Sequence, residues 1–156
     1  MNLFLMQHAE AVDKSVDPER PLTQKGRDET VKVAAYAAKH CGMSVLAVTH
    51  SGKLRARQTA ELFAMEIEAL QGVVPVKDLD PDSNPAIWKE RLGLMQDDVI
   101  IVGHLPHLSR LASLLLCGDA DKEIIEFHNA GLVCLKKDSP EDWRVQYIIL
   151  PETAED

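Results

Sequence analysis

Short apolar runs, separated by charged segments of helical period, set the rhythm of this chain. Leu3-Phe4-Leu5-Met6 opens it, and Val45-Leu46-Ala47-Val48 and Val99-Ile100-Ile101-Val102 repeat it; the last is apolar throughout, as a central parallel strand buried on both faces would be. Between the first two runs, the spacing predicts a helix from Lys25 to His40 with Val31, Ala34, Ala35 and Ala38 turned inward, Thr23 as N-cap and Gly42 as stop signal. Ser51 reads as the N-cap of a second helix, Lys53 to Leu70, with Leu54, Phe63, Ile67 and Leu70 on its apolar side. A short strand from Val73 to Leu79 follows. Asn84-Pro85 starts a third helix to about Met95, because proline at the first helical position removes a donor that has no partner there. Leu108, Leu111, Ala112 and Leu115 give a fourth helix its inner face. Gly131 to Leu135 and Trp143 to Leu150 predict two closing strands, paired near a sheet edge. Strand, helix and strand in alternation is the βαβ rhythm of a mostly parallel α/β sheet.

Composition narrows the class. With 156 residues, 46% of them hydrophobic, the chain can build one ordinary core, so a single domain over residues 1–156 is expected. Twenty-five acidic against 17 basic residues give a net charge of −8, which argues against a nucleic-acid surface or an anionic membrane partner. Cys41, Cys117 and Cys134 lack metal-type or disulfide-framework spacing and read as buried thiols in a reducing compartment. The N-terminal apolar run reads as a strand rather than a signal segment, and no stretch approaches the roughly 20 apolar residues of a membrane span. A soluble, cytoplasmic protein is the expectation.

The candidate chemistry lies where the strands end. His8 follows the first apolar run, His104 follows Val99–Gly103, and Arg55 lies in the first turns of the helix opened by His50-Ser51. Ligands of open α/β sheets bind outside the carboxyl ends of the strands, so these groups could meet in one crevice suited to an anion. A histidine attacks phosphorus as neutral imidazole, accessible near pH 7 because its ordinary pKa is about 6.5. Arg55, His104 and Arg20 are the candidates for stabilising the phosphoryl oxygens. Taken singly, each has a plainer reading: either histidine can cap a strand end by bonding to backbone, and Arg55 can be a solvated helix face. His50, His107 and His128 read as structural or surface residues, and His40 as a helix-end cation favourable to the dipole.

Four ordered motifs carry a resemblance over nearly the whole chain. Gln7-His8-Ala9 resembles the R-H-G signature of the histidine phosphatases, and Arg20-Pro21-Leu22-Thr23 with Gly26 resembles their R-P-L-T…G element. Ser51 to Ala60 resembles S-x-x-x-R-A-x-Q-T-A, and Gly103-His104-Leu105-Pro106 the late G-H element. The chain thus resembles the short, SixA-type phosphohistidine phosphatases. That resemblance implies a phosphoglycerate mutase-like, three-layer αβα sandwich with helices on both faces of a mostly parallel sheet. It also implies a phosphoryl-histidine intermediate on His8, with Arg55 and His104 catalytic, and Gln7, Arg20, Ser51 and Leu105 binding substrate. No metal and no cofactor enter the scheme, and the implied partner is a phosphohistidine-containing protein. Gln7 departs from the pattern, since its amide donates without the charge an arginine brings. A small-molecule phosphomonoesterase and a non-catalytic phosphate- or phosphoprotein-binding module are the competing readings. Glu10, Asp80 and Asp82 are the carboxylates that could serve as proton donors.

Overall fold

The computed structural model describes residues 1–155. A six-stranded sheet runs through it in the order β5-β3-β6-β1-β7-β8, where β1 is Asn2–Gln7, β3 Ala47–His50, β5 Val73–Pro75, β6 Val99–Gly103, β7 Leu132–Ser139 and β8 Asp142–Ile149. The first four strands in that order are parallel; β7 and β8 close the sheet antiparallel, with bulges in their ladder. A second, two-stranded parallel sheet joins β2 (Ser44–Val45) to β4 (Glu68–Ala69).

Alternation along the strands builds two cores. Phe4, Met6, Val48, Ile100 and Val102 point to the face covered by α1 (Gln24–Cys41) and α2 (Leu54–Ala64), through Val33, Ala34, Ala37, Ala60 and Phe63. Leu3, Leu5, Val99 and Ile101 point to the opposite face, covered by α3 (Pro85–Leu94) and α4 (His107–Cys117) through Trp88, Leu92, Leu108 and Leu111. The result is the expected three-layer αβα sandwich with a mostly parallel sheet. Lys137, on β7, reaches under α3 and donates to the carbonyls of Leu92, Gly93 and Met95, acceptors that the end of a helix leaves without partners.

Several expectations are corrected. The second helix ends at Ala64 rather than Leu70, because the chain must turn to place Glu68–Ala69 beside β2; Met65 and Leu70 are left exposed. The cap of that helix is Lys53, without a side-chain bond, and not Ser51. The inner face of α1 is Thr30, Val33, Ala34 and Ala37, one position round from the predicted set, so Val31 is exposed. The strand predicted over Val73–Leu79 stops at Pro75. Of the three cysteines only Cys134 is buried, and Cys117 is exposed. Thr23, Asn84-Pro85 and the inner face of α4 are as predicted. No helix among the described residues is long and apolar enough to cross a membrane.

Candidate active site

Parallel pairing of β1 with β6 brings Gln7 opposite Gly103, so the residues that follow them, His8 and His104, emerge side by side. Their rings lie 5.1 Å apart between centroids. Pairing of β3 with β6 brings the His50–Ser51 turn to the same end, and α2 starts there. Ser51 Oγ then lies 2.6 Å from His104 Nε2, and Arg55 Nε donates to His8 Nε2 at 3.3 Å. Four of the seven predicted residues are therefore linked directly.

The motifs around these groups hold loops together. Thr59, one turn after Arg55, accepts from the Ala9 amide at 3.0 Å and donates to the Arg55 carbonyl at 2.7 Å. Gln58 accepts from the Leu22 amide at 2.8 Å, anchoring the loop that carries Arg20. Glu10's carbonyl accepts from the Thr23 amide at 2.9 Å, while a Cβ on Gly26 would overlap that same carbonyl. Glycine is thus required at position 26 by the close approach of α1 to the segment that follows His8.

Orientation fixes the proton positions. His8 Nδ1 is 2.8 Å from the Ala9 carbonyl, an acceptor, so Nδ1 carries the hydrogen and the Nε2 lone pair faces Arg55. Burial first, then the Arg55 and Arg20 charges, lower the His8 pKa to about 4 against the bond to Ala9, so the ring is neutral at pH 7. His104 is lowered to about 3, again by burial first and then by His8, Arg55, Lys53 and His107. His104 Nδ1 has no partner, and a bare lone pair costs less there than a bare N–H; Nε2 therefore carries the hydrogen and donates to Ser51. The crevice so holds one neutral imidazole with an available lone pair, one neutral N–H donor and a guanidinium.

Arg20 stands close enough for its charge to act on both His8 and Arg55, although its Nε donates to the Val12 carbonyl at 3.2 Å and its backbone is left-handed at φ 51°. Leu105 is 39% exposed beside His104. Gln7 donates from Nε2 to Asn129 Oδ1 at 2.9 Å, and its own Oε1 is buried without a partner. Asn129 was missed by sequence reasoning; the only signal was the turn-forming Asn129-Ala130-Gly131, whose Ala130 amide donates to the Gln7 carbonyl at 3.1 Å. His50 and His107 are buried, whereas His128 is exposed. Of the carboxylates, Glu10 accepts from Thr23 Oγ1 at 2.9 Å and faces Lys25, and Asp80 lies 3.7 Å from Lys53. No carboxylate among the described residues bonds to His8, Arg55 or His104.

The fold is that of the histidine phosphatases. It superposes on the protein histidine phosphatase SixA complexed with tungstate with a TM-score of 0.86, at 23% identity over 99% of this chain and 100% of that one. The alpha-ribazole phosphatase of Shigella flexneri matches at a TM-score of 0.70 and 16% identity, covering 97% of this chain and 96% of that one. A phosphoserine phosphatase mutant of Entamoeba histolytica, in complex with phosphoserine, matches at 0.67 and 12%, covering 94% and 95%. By sequence, the chain is 30% identical over 145 residues to an uncharacterised protein of Picosynechococcus sp., covering 87% of this chain and 85% of that protein, and it belongs to the same family. No protein-family model matches the sequence.

Proposed function

We propose that this protein is a phosphohistidine phosphatase that works through a phosphoryl-His8 intermediate. The observation that carries the reading is the neutral His8 ring, pinned through Nδ1, with its Nε2 lone pair 3.3 Å from Arg55 Nε. Nε2 attacks phosphorus and a new N–P bond forms. The substrate's P–N bond breaks, its electron pair leaves on the departing imidazole, and that nitrogen takes a proton from solvent. Water then attacks phosphorus, the His8 Nε2–P bond breaks with its electron pair returning to Nε2, and the water's proton passes to solvent, which releases phosphate and restores the neutral ring. Arg55 and Arg20 hold the non-bridging oxygens, joined by the Nε2–H of His104 when a phosphoryl oxygen displaces Ser51 Oγ as its acceptor, and charge stabilisation of this kind is the main demand of phosphoryl transfer. Gln7, Ser51 and Leu105 complete the binding surface.

The carboxylates favour this substrate over an ester. An alkoxide leaving group needs a placed acid, whereas imidazole is basic enough to be protonated by solvent near neutrality. Glu10 and Asp80 are both engaged elsewhere, and Asp82 bonds to none of His8, Arg55 and His104. A small-molecule phosphomonoesterase is the second reading, favoured by the likeness to phosphatases of alpha-ribazole and phosphoserine type.

Rapid quenching into alkaline detergent, followed by mass spectrometry, tests the intermediate. A phosphoryl group on His8, absent from His8→Ala, is expected; turnover without it would reject the mechanism. Arg55→Ala and His104→Ala should each slow turnover by on the order of 10²–10³-fold, the scale for one preorganised donor. Activity should survive exhaustive chelation, because imidazole attack assisted by guanidinium requires no Lewis acid.

A further inference from the structure

A groove of about 420 Å³ starts at Leu105, the residue after His104, and is lined further by Pro106, Ser109, Glu123, Ile125, Glu126 and Phe127. Its floor is apolar: Ile125 and Phe127 are each 8% exposed, and Leu105 and Ile124 stand open to solvent beside it. Two carboxylates line it as well. Neither Glu123 nor Glu126 has a salt-bridge partner among the described residues, while the neighbouring Asp121 is taken by Arg110 at 3.9 Å. Glu123 holds a left-handed backbone at φ 49°, a conformation uncommon for a residue other than glycine. The same loop continues to Asn129, which bonds Gln7, and Leu105 directly follows His104, so the chain joins the groove to the phosphoryl crevice at two points.

We propose that this groove docks the stretch of a phosphoprotein substrate next to its phosphorylated residue, a segment that is apolar on one side and carries lysine or arginine. The inference rests on the phosphatase reading and adds how the substrate is chosen. A groove lined by Leu105, the residue next to His104, lies where the chain flanking a phosphoryl group would run. Its apolar floor requires a buried aliphatic side chain, and unpaired carboxylates at its edge discriminate by charge, rejecting an acidic flank through like-charge repulsion. An acidic protein with a local cationic crevice would otherwise repel every acidic partner uniformly.

The test uses the full chain and three probes: free phosphohistidine, and two phosphohistidine peptides with the same leucine, one flanked by lysines and one by glutamates. The lysine peptide is expected to show a KM roughly fivefold to tenfold below the glutamate peptide at equal kcat, with the gap closing as salt rises. Glu123→Lys combined with Glu126→Lys should reverse that order and leave turnover of free phosphohistidine unchanged. Ser109→Trp, which fills the groove, should raise KM for both peptides and again spare free phosphohistidine. Equal KM values for the two peptides in the wild type, or a preference that survives the charge reversal, would overturn the proposal. Fluorescence anisotropy of the unphosphorylated peptides reads docking without catalysis. If none of the three probes turned over, the phosphatase reading would fail, and the anisotropy would still decide the groove.

Discussion

Protonation decides whether His8 can act as a nucleophile, and its surroundings push that decision well into the acid range. Burial and the two guanidiniums hold its pKa at about 4, so the ring stays neutral where an ordinary histidine would already be cationic. The acid limb of kcat/KM should therefore fall below about pH 5, not at the ordinary histidine value near 6.5. Phosphate release from phosphohistidine, corrected for uncatalysed hydrolysis across pH 4–8, reads this directly; a limb centred at 6.5 would mean that His8 is not desolvated in the working enzyme. Gln7 poses the complementary question of charge. Its amide nitrogen is held by Asn129, so an arginine placed there must give up that bond to reach the anion. Gln7→Arg should nonetheless bind vanadate more tightly, by about 1–2 kcal/mol, because a charge-assisted donor replaces a neutral one. Isothermal titration giving equal or weaker binding would show that the Gln7–Asn129 pair leaves no deficit.

At the scale of elements, the parts of the fold readable in advance were those in which one local force acts alone. Continuous apolar runs marked β1 and β6, and a side-chain cap marked α1, because burial on both faces and an orphan helix donor are written in consecutive residues, whereas the run over residues 45–48 is divided between β2 and β3 of two different sheets. The end of α2 was not readable: Ile67 and Leu70 keep the helical period, and only the distant pairing of β4 with β2 overrides it. The site divides in the same way. Strand-end histidines and Arg55 lie in motifs of fixed spacing, whereas Asn129 comes from a loop more than 120 residues along the chain from Gln7 and meets it only through the antiparallel β1–β7 ladder. Gly26 joins element to site. Gly26→Ala should cost about 1–3 kcal/mol, since the added methyl meets backbone that cannot rotate away, and the displaced Glu10 segment should lower turnover along with stability. Urea denaturation and steady-state kinetics on one variant check both; a loss of stability at full turnover would show that His8 does not depend on the packing of α1.

For the whole molecule, buried neutral histidines make acid an adversary. His107 is 0% exposed, has no partner on either ring nitrogen, and is lowered from 6.5 to about 4 by burial first and Arg110 second, against Asp78 and Asp80. Above pH 6.5 the ring is neutral whether folded or unfolded, and its contribution to stability is complete. Between 6.5 and 4 the unfolded chain takes up a proton that the folded one refuses, so stability drains away, by about 2–3 kcal/mol at pH 4.5 from this residue alone. His107→Leu should flatten the decline between pH 7 and 4.5 in urea melts; an unchanged slope would assign acid sensitivity to the other histidines. The sheet's direction has another consequence. β7 starts beside Met6, at the end of the sheet that carries His8, and runs back to Asn2, so the Ser139–Asp142 turn lies at the far pole from His8. That turn is the natural attachment point for a dye, a tether or an inserted reporter, since cargo carried there would face away from the crevice around His8.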